Sequence, residues 1–215
     1  STSAADDLTV LADISGTGCG LVKAGAGKLT LSGTNSYDGP TTVDAGVLQF
    51  NSTAAIGGSG RDVTVNFGGT AAFGPSFGGI QGTLAGRIVD TSAGTVALTV
   101  DSSESLDFSG AGASLSAASL GAVGSAVYTG TLTPNATTYR LGGGGGTLTM
   151  ANANAVTGSG YDLVVCGGGS GGTVILAAGN NYDGGTTLIG GTLAIGNDGA
   201  LGSGGLLFRG GGLSS

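Results

Sequence analysis

The residues best suited to chemistry in this sequence are few, and most are acidic. Asp101, Glu104 and Asp107 form its one acidic cluster, and a pair of carboxylates flanking a glycosidic bond is the arrangement that cleaves polysaccharides. Their spacing of three puts them on no common strand face, so they read as a solvated loop. The chain has no histidine, which excludes Ser-His-Asp and Cys-His catalysis and most zinc sites. Gly57-Gly58-Ser59-Gly60-Arg61-Asp62 opens like a calcium-binding nonapeptide. Thr64 stands where its large apolar residue belongs, however, and that site needs consecutive copies to complete its ligand shell. Gly27-Lys28 misses a phosphate-binding loop, because Leu29 replaces the required Ser or Thr and no helix follows. Asp6 with Asp7, and Asn197 with Asp198, read as turn or cap residues. The expectation is no catalytic residue, no metal ion and no cofactor.

The elements that carry these residues come from a repeat. The stretch 27–50 returns at an offset of 145 as 172–195. Gly27, Leu31, Asn35, Tyr37, Asp38, Gly39, Thr41, Thr42, Gly46 and Leu48 recur as Gly172, Leu176, Asn180, Tyr182, Asp183, Gly184, Thr186, Thr187, Gly191 and Leu193. With a two-residue slip the similarity runs on, so the repeats occupy about 27–70 and 172–213. Leu29 and Leu31 alternate with polar residues as a half-buried strand requires, and 47–50 end another. The β-branched Thr41-Thr42-Val43 suits a third. Between them Asn35, Tyr37, Asp38 and Gly39 make a turn, as do Asn180, Tyr182, Asp183 and Gly184. Asn35 and Asn180 are expected to satisfy backbone groups inside the stack, a structural role. Such a unit leaves no room for a helix and cannot bury its apolar side without a similar unit above and below.

Composition points the same way. Of 215 residues 49 are Gly, roughly three times the usual ~7%. No Gly-X-Y period exists, so collagen is excluded, and 40% hydrophobic residues exclude a disordered linker. A net charge of −7 with six Lys and Arg excludes a nucleic-acid partner, which needs a basic stripe. No apolar run reaches the ~18 residues of a membrane span. Without a basic segment leading into an apolar one, the chain is expected to be mature, a fragment, or freed of its signal.

Along the chain, Leu8, Val10 and Ile14 open a first strand. Between the two copies, 82–86, 94–100 and 146–150 read as strands entered from glycine. Leu106 with Phe108, and Leu163 with Val165, fit the same period. The stretch 113–120 alone has helical spacing. No linker divides the chain, so 1–215 is expected to be a single domain.

The run 20–37, continued by Gly39-Pro40-Thr41-Thr42-Val43 and Gly46-Val47-Leu48-Gln49, resembles the autotransporter-associated β-strand repeat, also called the passenger-associated transport repeat. Stretch 172–195 matches it less fully, with Ala178 where a Gly is expected. The resemblance implies an all-β fold, a right-handed parallel β-helix of about 9–10 coils without substantial helix. It also implies a secreted or surface-displayed bacterial protein that is not an enzyme, whose repeats build stalks.

Coil arithmetic then bears on Cys19 and Cys166. At roughly 20–25 residues per coil and about 4.8 Å between strands, 166 − 19 = 147 residues put the sulfurs about 30 Å apart, whereas a disulfide needs Cα atoms within about 7 Å. Both are expected to be buried free thiols or bridges to another chain. Neither end of the solenoid carries a capping sequence, so the unit is expected to stack head to tail on itself or to continue a longer solenoid. The alternatives are an adhesin binding host or matrix glycans and, less favoured, a polysaccharide-degrading enzyme.

Overall fold

Apolar alternation and glycine turns fold the chain into a parallel β-solenoid. The computed structural model describes residues 7–58, 60, 62–110 and 114–215. A ten-stranded parallel sheet forms the spine, from Leu8–Val10, Lys28–Leu31, Gly46–Phe50, Gly69–Phe73 and Thr95–Leu98 to Ser119–Ala122, Thr138–Leu141, Asp162–Val165, Thr186–Leu188 and Leu206–Phe208. Leu29 lies beside Leu48, Leu48 beside Ala71, Ala71 beside Val96 and Val96 beside Leu120. These steps are 19, 23, 25 and 24 residues, so each coil sets an apolar side chain on the one beneath. Nine such steps at about 4.8 Å make a rod of roughly 43 Å. The stacked residues Leu48, Ala71, Val96, Leu120, Leu141 and Leu188 are fully buried. Phe50 and Phe73 stack with ring centroids 6.5 Å apart, a favourable offset arrangement.

Two shorter sheets close the other side. Leu21–Lys23, Thr41–Val43 and Val63–Val65 form one, and Ser125–Tyr128, Thr147–Met150, Thr173–Leu176, Thr192–Ile195 and Gly212–Ser214 form the second. The sequence repeat and the sheets are out of phase. Lys28–Leu31 lies in the spine, while its repeat counterpart Thr173–Leu176 lies in the five-stranded sheet. Thr41–Val43 lies in the three-stranded sheet, while Thr186–Leu188 lies in the spine. The change occurs where Thr95–Leu98 pairs with Ser119–Ala122 in full register. Above that junction each repeat is laid down one face further round the coil.

The helix content differs from expectation. The stretch 82–86 is not a strand: it belongs to the short helix Ile80–Gly86. The stretch 113–120 is not helical either. Its end enters the spine strand Ser119–Ala122, residues 114–118 carry no helix, and Ala113 lies outside the described residues. The helix is hard to foresee because it holds two glycines and starts from Gly79 in a left-handed conformation without a side-chain cap. Its cap comes from another coil. Both oxygens of the Glu104 carboxylate accept from its first turn, from Ile80 N–H at 2.9 Å and Gln81 N–H at 2.8 Å, where the helix dipole favours negative charge.

Glu104→Ala should therefore loosen this helix selectively, costing about 1–2 kcal/mol as for a lost N-cap. Urea unfolding with hydrogen exchange on 80–86 measures it.

Candidate functional site

The two repeat turns are the most organised polar constellations of the described chain. In the first, the Asn35 side chain joins three coils. Its Oδ1 accepts from Ile14 N–H of the coil below at 2.8 Å, and its Nδ2 donates to Ala55 O of the coil above at 2.6 Å. Asn180 does the same, accepting from Val156 N–H at 3.0 Å and donating to Ala200 O at 2.8 Å. Neither Asn contacts another Asn in these bonds, so the ladder is one of backbone groups bridged by amides. Tyr37 and Tyr182 are buried, each with its hydroxyl bonded to a threonine four residues on, Thr41 and Thr186. Burial pushes the Tyr182 hydroxyl pKa up. Gly39 and Gly184 are required by close approach: a Cβ at Gly39 would meet Cys19 backbone at 2.6 Å, and one at Gly184 would meet Tyr161 O at 2.3 Å.

Asp38 and Asp183 complete the turns by accepting from the coil below, from Gly18 N–H and Gly160 N–H respectively. Asp183 also accepts from the Ser159 hydroxyl at 2.8 Å. The bond from Gly160 first, and that from Ser159 second, hold its carboxyl below the ordinary 3.8.

Five other carboxylates do the same work. Asp7, Asp13, Asp90, Asp101 and Asp162 accept backbone N–H groups of Lys28, Thr34, Ser114, Val127 and Gly185, each 20 or more residues away. The acidic excess is thus largely an inter-coil clamp, since a charged acceptor makes the stronger hydrogen bond. The acidic cluster is in part the solvated loop expected: Asp101 is exposed in an irregular stretch, whereas Glu104 and Asp107 are half-buried. Glu104 caps the helix, Asp101 clamps Val127, and Asp107 lies in the strand Leu106–Asp107 and accepts from Ser109 N–H at 2.8 Å.

The remaining candidates are also occupied. Asp62 of the calcium-like stretch pairs with Arg87 at 3.0 Å, while Ser59 and Arg61 of that stretch lie outside the described residues. Asn197 accepts from Gly199 N–H within its own turn; Asp6 is outside the described residues. Among the described residues no group of three or more His, Cys, Asp and Glu is placed to hold a metal ion. Lys23 is buried, and its ammonium donates to Ala24 O, Gly25 O and Ala45 O at 3.0, 2.7 and 2.9 Å. Both cysteines are free. Cys166 is buried, and burial raises its thiol pKa. Cys19 is exposed, which corrects the expectation that it is buried and leaves it as the thiol another chain can reach.

One feature had no local signal. Lys23 and Lys28 enclose four residues, but in the second repeat Val165 and Thr173 enclose seven, 166–172. This glycine-rich loop folds back along the rod as a strap. The Ser170 hydroxyl accepts from Gly144 N–H at 2.8 Å and meets the hydroxyls of Thr70 and Thr95 at 3.3 and 3.2 Å. Gly68 N–H donates to Gly168 O at 2.8 Å. Those partners stand up to 100 residues away, at the junction where repeat and sheets change phase.

The fold and its clamps define a repetitive β-solenoid held together by inter-coil polar staples. The passenger-associated transport repeat family matches residues 21–50 and 170–195, the two stretches that carry the Asn-Tyr turns. Each of the two stretches is thus similar to an autotransporter-associated repeat. It is similar to the adhesin BmaC autotransporter of Brucella suis biovar 1 (strain 1330), 32% identical over 111 residues, which cover 52% of this chain and 3% of that protein. The chain therefore spans only a small part of that relative's length. No solved structure matches it.

Asn180→Ala strands one buried donor and one acceptor at about 1–3 kcal/mol each, so a loss of about 2–5 kcal/mol is expected in chemical denaturation, with Asn35→Ala similar. The lowered Asp183 pKa contributes stability that is present above pH 3.8 and lost as pH falls through its folded-state value. Acid titration of Asp183→Asn against the parent chain should show a lower plateau at neutral pH and a shallower loss below that pH.

Proposed function

We propose that this chain is a non-catalytic segment of a secreted or surface-displayed bacterial passenger, building a stalk or fibre by head-to-tail stacking with a second copy. One observation carries the reading: among the described residues the outermost spine strands, Leu8–Val10 and Leu206–Phe208, pair on one side only. Leu8 in the first spine strand is 60% exposed, and Phe208 in the last is 51% exposed, with Leu206, Leu207 and Leu213 beside it. Interior coils bury residues in the rows of Leu8, Phe208 and Leu213, namely Leu48, Leu188 and Leu193. Unpaired parallel edges template further strands, and the two ends have the polarity needed to continue one parallel ladder. The repeat family and the similarity to an autotransporter adhesin support an exterior location. Asp7, Asp13, Asp38, Asp90, Asp101, Glu104, Asp162 and Asp183 are engaged in clamps between coils, which supports a structural role over a hydrolytic one.

Negative-stain microscopy of the purified chain with increasing concentration is the test. Rods lengthening in steps of about 48 Å, ten strand spacings of about 4.8 Å, shortened by Leu207→Lys at one end and by Leu8→Lys at the other, are expected. Single short rods at every concentration sink the stacking model.

A further inference from the structure

A cleft of about 420 Å3 lies directly below the second repeat turn and is used by none of the features above. Its volume falls within the ~300–1,000 Å3 typical of small-molecule sites. The floor is apolar: Leu132, Pro134 and the ring of Tyr139 are buried. The wall is the half-buried ring of Tyr161, tilted against Tyr139 with centroids 5.8 Å apart. The rim carries the exposed side chains of Thr133, Asn152 and Asn154. No charged residue lines it, although the chain carries a net charge of −7.

The cleft is also pre-formed. Its upper loop is tied to the turn above: Asn154 N–H donates to Gly179 O at 2.8 Å, Val156 N–H to Asn180 Oδ1 at 3.0 Å, and Gly160 N–H to Asp183. Asn154 is held there at φ 56°, a left-handed conformation that Asn tolerates and that persists where surroundings enforce it. Its lower side is Leu132–Thr133, the end strand of a two-stranded sheet that the next coil leaves unpaired. Two residues are too short to hold an extended peptide by strand addition.

We propose that this cleft binds a neutral oligosaccharide. The polarised C–H groups of a sugar face suit the negative face of an aromatic ring such as Tyr161, amides and hydroxyls on the rim match sugar hydroxyls, and an uncharged lining gives an acidic sugar no partner. A rigid site lowers the ordering cost of binding. The proposal does not depend on end-to-end stacking.

The experiment is titration of the isotope-labelled chain with maltohexaose, cellohexaose and chitohexaose, against hyaluronan hexasaccharide and an alternating Thr-Val hexapeptide, followed by amide NMR. At least one neutral oligosaccharide is expected to shift amides in 131–134 and 152–161. Tyr161→Ala and Thr133→Lys should each weaken that binding at least tenfold. Tyr161 packs against Tyr139, so if its variant fails to fold, Thr133→Lys on the exposed rim carries the test. The proposal is overturned if no neutral oligosaccharide shifts those amides, if binding survives Thr133→Lys within twofold, or if the acidic sugar or the peptide binds there as tightly.

Discussion

Every coil of this molecule depends on the hydrogen-bond ladder running along the rod, because a single coil satisfies neither its backbone nor its apolar face. Parallel stacking supplies both at once: each spine strand bonds the strands above and below, and each inward residue lies on its counterpart one coil away. What the ladder does not supply is closure at the turns, where the chain leaves the strands and its N–H and C=O groups point along the axis without a regular partner. An unsatisfied buried group there costs on the order of 1–3 kcal/mol, so the turns are where side chains are needed most.

The polar residues are distributed accordingly. Asn35 and Asn180 reach both neighbouring coils from one amide, a task that requires a donor and an acceptor on the same short side chain. Carboxylates supply acceptors for N–H groups of adjacent coils, and Lys23 supplies the opposite service to three carbonyls. An acidic composition in this setting reflects the excess of turn N–H groups that carboxylates are well suited to accept from. The same engagement that stabilises the rod occupies these groups in hydrogen bonds between coils.

The strap 166–172 and the phase change belong together. When repeat and sheet slip by one face, the corner glycines no longer stack uniformly, and the groove beside Thr70 and Thr95 is filled by Ser170 from a later coil. A three-residue enlargement of one turn thus joins coils on both sides of the junction. Only glycine-rich backbone can lie this close to others, as the 2.8 Å between a Cβ built at Gly168 and the Thr95 hydroxyl illustrates.

By itself the sequence determined the strand class, the coil length and the Asn-Tyr-Asp-Gly turns, because each depends on local periodicity and turn chemistry that recur at a fixed offset. The lack of histidine is likewise read directly from it. Tertiary structure alone decided which sheet each copy enters, where the strap docks, that 82–86 is helical, that Cys19 is exposed and that Tyr139 and Tyr161 wall a cleft. The physical reason is common to these cases. Each rests on a partner 20 to 100 residues away: Glu104 capping the helix at Ile80 and Gln81, Ser170 bonding Thr70, and Asn180 and Asp183 fixing the loop beside Tyr161. Periodicity reports what one strand must do, whereas register between coils selects which of many equivalent strands it meets.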